Sequence, residues 1–301
     1  MLQRLFYSPI TTTGEYAMRL VSYLSADGPR IAAVRGERYI DLSASGLPSS
    51  MRALLALGDD GQKRAARAAA EGPEIDPAAI KKLLAPVPDA QKVICVGLNY
   101  ADHARETGGT PPDEPVIFNK FPTALIGHGE AIVLPRVSQQ VDYEAELVAV
   151  IGRRGRDIPR ARAYEYIAGY CPGHDVSARD WQTGKPSRQW LLGKTFDTFG
   201  PCGPAIVTKD EVADPCKLGI RFRLNGETMQ NSNTDQFIFP VDELVAYVSQ
   251  VCTLEPGDLI FTGTPPGVGV ARKPQVFLKP GDVAEVEIDG LGLLRNPVVG
   301  A

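Results

Sequence analysis

Three histidines, two tryptophans and five widely separated cysteines are all that this 301-residue chain offers of the residues that most often announce a site. Cys95, Cys171, Cys202, Cys216 and Cys252 contain no CxxC pair, and an odd, scattered set supports neither a disulfide framework nor a zinc cluster. A reducing, cytoplasmic compartment is expected. No apolar run approaches the ~18 residues needed to span a bilayer, so no membrane role is expected. The first residues, MLQRLFYSPITTTG, lack the apolar core and small-residue cleavage site of a secretory signal, which leaves an organellar matrix open beside the cytoplasm. Positive charge is not in excess either: 32 basic against 36 acidic residues give a net charge of -4. With no basic stripe interleaved with aromatics, nucleic acid is not expected as a partner. Internal repeats and low-complexity tracts are absent.

What is present suits a globular protein with a sizeable core: 44% hydrophobic and 23% charged residues. Residues 17 to 42 read as short strands broken by ADG and RGE turns, and SSMRALLALGDDGQKRAARAAAEG as alanine-rich helix. The proline-punctuated PEIDPAAIKKLLAPVPDAQ closes a small amino-terminal α+β domain at residue 88, leaving 89 to 301 as a second, catalytic domain. From KVICVG onward, strands at 92–97, 144–151, 219–224 and 258–262 alternate with glycine and proline turns. Asn225-Gly226 is a hairpin signal, and 241–254 the one clear helix. This is not the strand-helix alternation of a doubly wound sheet. A β-rich α+β architecture, barrel-like or sandwich, is expected.

VDYEAELVAV, 141 to 150, raises the chemical question. As a strand it places Asp142, Glu144 and Glu146 on one face and runs into an apolar stretch buried on both sides. Buried carboxylates repel one another and lose hydration unless a cation, a proton or several donors compensate. Asp175, in GYCPGHDVSARDWQ, reads as a turn or helix cap; together with Glu144 and Glu146 it would complete an all-oxygen set suited to magnesium, manganese or calcium.

Three further stretches carry candidate chemistry. In VGLNYADHARETGG a short helix from about Tyr100, ending before Gly108-Gly109, makes His103 and Glu106 neighbours. Such a pair can activate water or stand as an incidental solvated contact. In RQWLLGKTFDTFGP, Lys194 reads as a cation for a developing oxyanion or as a lysine reaching the surface. GDLIFTGTPPGVGV lacks the Gly-Lys-Ser/Thr of a nucleotide loop, but its amides and the Thr264 hydroxyl suit a carboxylate, or the loop is a tight turn.

Taken in order, VGLNYADHARE, FNKFPTALIG, VDYEAELVAVIG, HDVSARDWQ, QWLLGKTFDTFGP, LNGETMQNSNTDQ and PGDLIFTGTPPGVG resemble the fumarylacetoacetate hydrolase family across residues 92 to about 299. The resemblance implies a pseudo-symmetric β-roll or barrel, commonly a homodimer, after a small variable amino-terminal domain. It implies a divalent metal, Mg2+ or Mn2+ with Ca2+ as a substitute, held by Glu144, Glu146 and Asp175, with Asp142 outside the ligand set. His103 and Glu106 become the water-activating pair and Lys194 the oxyanion-stabilising cation, while Arg179, Gln182 and Thr264 match positions near a substrate carboxylate. Many members have Asn where this chain has His174.

The activity expected first is metal-dependent hydrolysis of a C-C bond in a small 2,4-dioxo acid of the acylpyruvate or fumarylpyruvate type, through an enolate. The same enolate, without delivered water, gives oxaloacetate keto-enol tautomerisation or decarboxylation as the alternative. A third reading is a non-enzymatic scaffold in which the acids and their metal only stabilise the fold.

Overall fold

The computed structural model describes residues 17–107 and 110–301. The readings placed on MLQRLFYSPITTTG and on Gly108-Gly109 fall outside those residues. The chain opens with β1 (Arg19–Ser25), β2 (Gly28–Arg35) and β3 (Arg38–Asp41), then α1 (Met51–Leu55), α2 (Gly58–Glu71) and the short β4 (Lys82–Leu83). Next come β5 (Val93–Gly97), α3 (Ala101–Thr107), β6 (Val116–Lys120), β7 (Leu125–Ile126), β8 (Ile132–Leu134), β9 (Val141–Asp142) and β10 (Ala145–Ile151). The middle holds β11 (Ile167–His174), β12 (Ser177–Ala178), α4 (Arg179–Gln182), α5 (Trp190–Lys194), β13 (Gly200–Pro201) and β14 (Ile206–Thr208). The last part is β15 (Gly219–Leu224), β16 (Glu227–Asn233), α6 (Val241–Val251), β17 (Leu259–Phe261), β18 (Val283–Ile288) and β19 (Gly292–Gly300).

Strands order as β3-β2-β1-β14-β11-β10-β17-β5-β6 in a large sheet, with β4 beside β1, and as β16-β15-β18-β19-β8 in a second. The large sheet is antiparallel except where β17 and β5 run parallel, Leu259 opposite Val93. Neither sheet closes on itself, and the whole is a sheet-rich α+β fold with few helices.

The apolar run of β10 is explained by burial on both faces. Ala145, Leu147, Ala149 and Ile151 enter the core that the second sheet fills with Ile220, Phe222, Ala284 and Val286. Val148 and Val150 enter another core, with Val93, Cys95, Leu54 and Ala65. In α6, Val241, Leu244, Val245 and Val248 recur at helical spacing and bury one stripe against the first core. Asn225 and Gly226, both at positive φ (54° and 84°), make the tight turn between β15 and β16 that their sequence announces.

Residues before 88 share the large sheet with strands from the rest of the chain: Arg19 and Leu20 pair with Val207 and Ile206 of β14. The helices α1 and α2 then cover that sheet through Leu54, Ala65 and Ala68. The segment between residues 84 and 92 connects without strand or helix.

Candidate active site

Glu144 and Glu146 flank the start of β10, and Asp175 comes directly after the last residue of β11. The two strands are neighbours, with Ala145 opposite His174 and Glu146 opposite Gly173, so long-range pairing brings the acids together. One oxygen from each carboxylate lies within 4.8 Å of the others, and all three residues are buried. Asp175 N–H donates to the Glu144 carbonyl at 2.9 Å, tying the two backbones at that point.

Asp142 departs from the alternation that the sequence suggests. The strand is interrupted at Tyr143 and Glu144, so β9 pairs with β12 while β10 pairs with β11, and Asp142 is absent from the acid triad. Its carboxylate accepts from four donors: Tyr143 N (2.8 Å), Gly269 N (2.7 Å), Val270 N (3.0 Å) and Arg179 Nε (2.8 Å). A Cβ at position 269 would stand 1.8 Å from the Val276 carbonyl oxygen and 2.5 Å from Asp142 Oδ1, which is why glycine occupies it.

Three buried cations answer the acids. Arg179 Nη2 donates to Glu144 Oε1 at 2.6 Å, and its Nη1 to Gln182 Oε1 at 2.9 Å. Lys194 Nζ bridges Glu144 Oε2 and Asp175 Oδ2, each at 2.8 Å. The third is Lys120, on β6, whose Nζ lies 2.6 Å from Asp175 Oδ1. Burial favours neutral Glu144, but Lys194 and Arg179 overcome it and hold this carboxyl at about 2. Among the described residues Glu146 has no such cation in contact. It accepts from Gly263 N at 2.9 Å, and burial, together with repulsion from Asp175 and Glu144, pushes its carboxyl well above the usual range.

That imbalance tests whether the site fits a cation. Three hard oxygen donors converge, they are shielded from water, and one of them is driven to keep a proton by burial and by its anionic neighbours. A divalent ion of the magnesium or manganese kind suits this donor set and would remove the penalty on Glu146.

His103 and Glu106 lie on α3, where His103 Nδ1 and Glu106 Oε2 are 3.1 Å apart. The pair is aimed by contacts from distant segments: Gly267 N donates to both Glu106 oxygens (3.1 and 3.2 Å), and Ser232 Oγ donates to Asp102 Oδ2 at 2.5 Å. Below α3, Asn99 is wholly buried and cross-links Phe239 and the Thr262 carbonyl, fixing the turn from β5. A cavity of about 210 Å³ is lined by His103, Glu144, Arg179, Gln182, Lys194 and Thr264, with Phe118 and Trp190 among its apolar walls. Glu146 and Asp175 are not among the lining residues, and Glu106 is 32% exposed. A larger cavity of about 290 Å³ lies elsewhere, between α1, α2 and the large sheet.

Thr264 uses its hydroxyl within the protein: it donates to the Ala145 carbonyl and accepts from Gln230 Nε2, both at 2.9 Å. Gln230 Oε1 in turn accepts from Ala145 N at 2.9 Å. This closed ring clamps the peptide between the two glutamates. Gln230 and Lys120 lie within LNGETMQNSNTDQ and FNKFPTALIG, yet neither stands out there as a site residue. The signal available was only that each polar residue occupies the buried side of a strand.

Residues 92–299 match the fumarylacetoacetate hydrolase C-terminal family. The chain is 48% identical over 296 residues to the mitochondrial oxaloacetate tautomerase fahd2 of Xenopus laevis, covering 96% of this chain and 93% of that one. Among solved structures, the fumarylacetoacetate hydrolase of the psychrophile Exiguobacterium antarcticum is 34% identical with a TM-score of 0.82, covering 94% of this chain and 100% of the other. The maleylpyruvate hydrolase of Sphingobium sp. SYK-6, in complex with manganese (II) and pyruvate, is 30% identical with a TM-score of 0.80, at the same coverage.

Proposed function

Because the chain belongs to the fumarylacetoacetate hydrolase family, we propose that its site interconverts the keto and enol forms of oxaloacetate with a divalent cation bound. The observation that carries this reading is near-half identity, along almost the whole chain, to a relative named as an oxaloacetate tautomerase. It supports the alternative over the C-C hydrolysis expected first. A cation held by Glu144, Glu146 and Asp175 would supply Lewis acidity to a chelated 2-oxo acid.

The chain's own residues do the rest. With Nδ1 hydrogen-bonded to Glu106, the His103 ring is set to move a proton through its other nitrogen. In the keto-to-enol direction a proton leaves C3 of oxaloacetate for His103, the electron pair becomes the C2-C3 double bond, and the proton is returned to the C2 oxygen. The reverse uses the same groups. Lys194, at the cavity wall, stabilises negative charge on that oxygen as it develops. The cavity volume suits a small acid.

The test tracks the enol absorption of oxaloacetate in the ultraviolet with magnesium-loaded protein, alongside a pyruvate assay. Faster loss of the enol without pyruvate, abolished by EDTA and by His103→Ala, is the expected result; a rate equal to buffer sinks the proposal.

A second reading, hydrolysis of a 2,4-dioxo acid, is supported by the His103-Glu106 pair and by likeness to two structures named as hydrolases. Consumption of acetylpyruvate would favour it. The relative's mitochondrial name supports an organellar matrix over the cytoplasm for this chain, and a homodimer remains part of the proposal, checked by sedimentation.

A further inference from the structure

Lys120 is a buried cation of the site to which neither reading gives a task. It is 1% exposed, at the inner end of the edge strand β6, and its ammonium has three partners in three directions. It pairs with the Asp175 carboxylate, Oδ1 lying 2.6 Å away, and donates to the Val176 carbonyl at 3.1 Å and to the Lys194 carbonyl. The last two acceptors belong to the turn after β11 and to the final residue of α5, whose carbonyl has no partner within its own helix. An ammonium seldom loses all its water unless it is compensated, and here an ion pair and two carbonyl acceptors do so.

We propose that Lys120 is a positioning residue: from behind the acid triad it fixes the Asp175 carboxylate and the backbone of Lys194 together, aiming one at the metal and the other at the cavity. Asp175 lies beside two other carboxylates, and a carboxylate so placed turns away from like charge unless something holds it. Lys120 holds Oδ1, which leaves Oδ2 on the side of Glu144, where Lys194 Nζ already bridges the two acids. The same ammonium grips the residue that carries that bridging lysine. Position of Lys194 and orientation of Asp175 are therefore set by a single group, on a strand that contributes no other charge to the site.

Because the inference rests on the metal reading, its test separates the two. Mn2+ dissociation constants are measured by electron paramagnetic resonance for the unaltered protein, Lys120→Met, Asp175→Asn and the double variant, with oxaloacetate kinetics in parallel. Exposed Lys217→Met serves as control. Lys120→Met is expected to weaken Mn2+ at least tenfold and to lower kcat more than it changes KM, with the double variant no weaker than Asp175→Asn alone. Wild-type affinity in Lys120→Met, or losses that multiply in the double variant, overturns the proposal. If Lys120→Met does not fold, Lys120→Gln, which keeps donors without charge, replaces it, and failure of both to fold makes Lys120 a structural residue and overturns the proposal too. Absence of Mn2+ binding by the unaltered protein sinks the metal reading instead, and Lys120 is then judged on the kcat and KM split.

Discussion

Asp142 and Arg179 hold each other in place: Asp142 Oδ2 accepts from Arg179 Nε at 2.8 Å, with the carboxylate wholly buried, and the same guanidinium reaches Glu144 and Gln182. The acid nearest the triad in sequence is thus the foundation for the residue that neutralises it. Asp142→Asn leaves a buried arginine short of one anion and turns an NH2 toward existing donors. Breaking such a pair costs about 3 to 5 kcal/mol. Urea unfolding of the metal-free protein is expected to show a loss of that order, with activity falling as well; an unchanged midpoint would mean that the pair contributes nothing.

Metal uptake is expected to release protons. Burial, then Asp175 and Glu144, raise Glu146 above its ordinary 4.5, so the folded, metal-free protein keeps a proton that the unfolded chain gives up. This group's contribution to stability is therefore fully present below 4.5 and is lost as pH rises through the folded value. A divalent ion must displace that proton, so affinity rises with pH across the same window. Titrating Mn2+ into weakly buffered, EDTA-stripped protein is expected to acidify the solution and to raise Tm, and Glu146→Gln to abolish the acidification.

Acid is expected to destabilise the fold through His128. Burial, opposed by a backbone contact with Leu293 and helped by Arg295, lowers this imidazole from 6.5 to about 4. Its Nδ1 accepts from Arg295 N at 3.2 Å, which a proton there would end. The contribution is present above pH 6.5 and lost as pH falls toward 4, with roughly 2 kcal/mol of it gone at pH 5. Comparing unfolding free energies at pH 7.5 and 5.0, His128→Gln should lose less than the unaltered protein; equal losses would clear His128 of the effect.

The proposed proton-transfer pair, His103 and Glu106, is expected to act as a unit. Glu106→Gln keeps a hydrogen-bonding side chain but removes the charge that orients His103, and is expected to cut kcat about 10²-fold, as is His103→Ala. Combining them should cost little more than either alone. Multiplying losses, read from the enol decay of oxaloacetate, would show two independent roles.

Local patterns carried much of the fold. Apolar runs bounded by turn signals gave β5, β10 and β15, helical spacing gave α6, and Asn225-Gly226 gave its turn, because each is decided by neighbours in sequence. The pairing of β1 with β14 was not legible, since its partners lie 188 positions apart at Arg19 and Val207 and nothing local selects that match. At the site, acids and the His103-Glu106 spacing were visible as residue types. Lys120 was not: a lysine on a strand whose alternate residues are exposed looks like any surface lysine until Asp175 is seen 2.6 Å away. Asp142 misled for the opposite reason, because strict alternation takes no account of the break at Tyr143 and Glu144 that detaches it from the triad.

The parallel pairing of β17 with β5, locked by Lys92 on Asp258 at 2.7 Å across 166 positions, also bears on how the molecule is made. Gly263, whose amide holds Glu146, lies just beyond β17, and α3 lies just beyond β5. A ribosome must therefore deliver nearly the whole chain before α3 and the acid triad can meet. Contacts of such sequence separation form slowly, so a growing or truncated chain stays catalytically silent, and recovery of turnover on refolding should lag behind recovery of secondary structure.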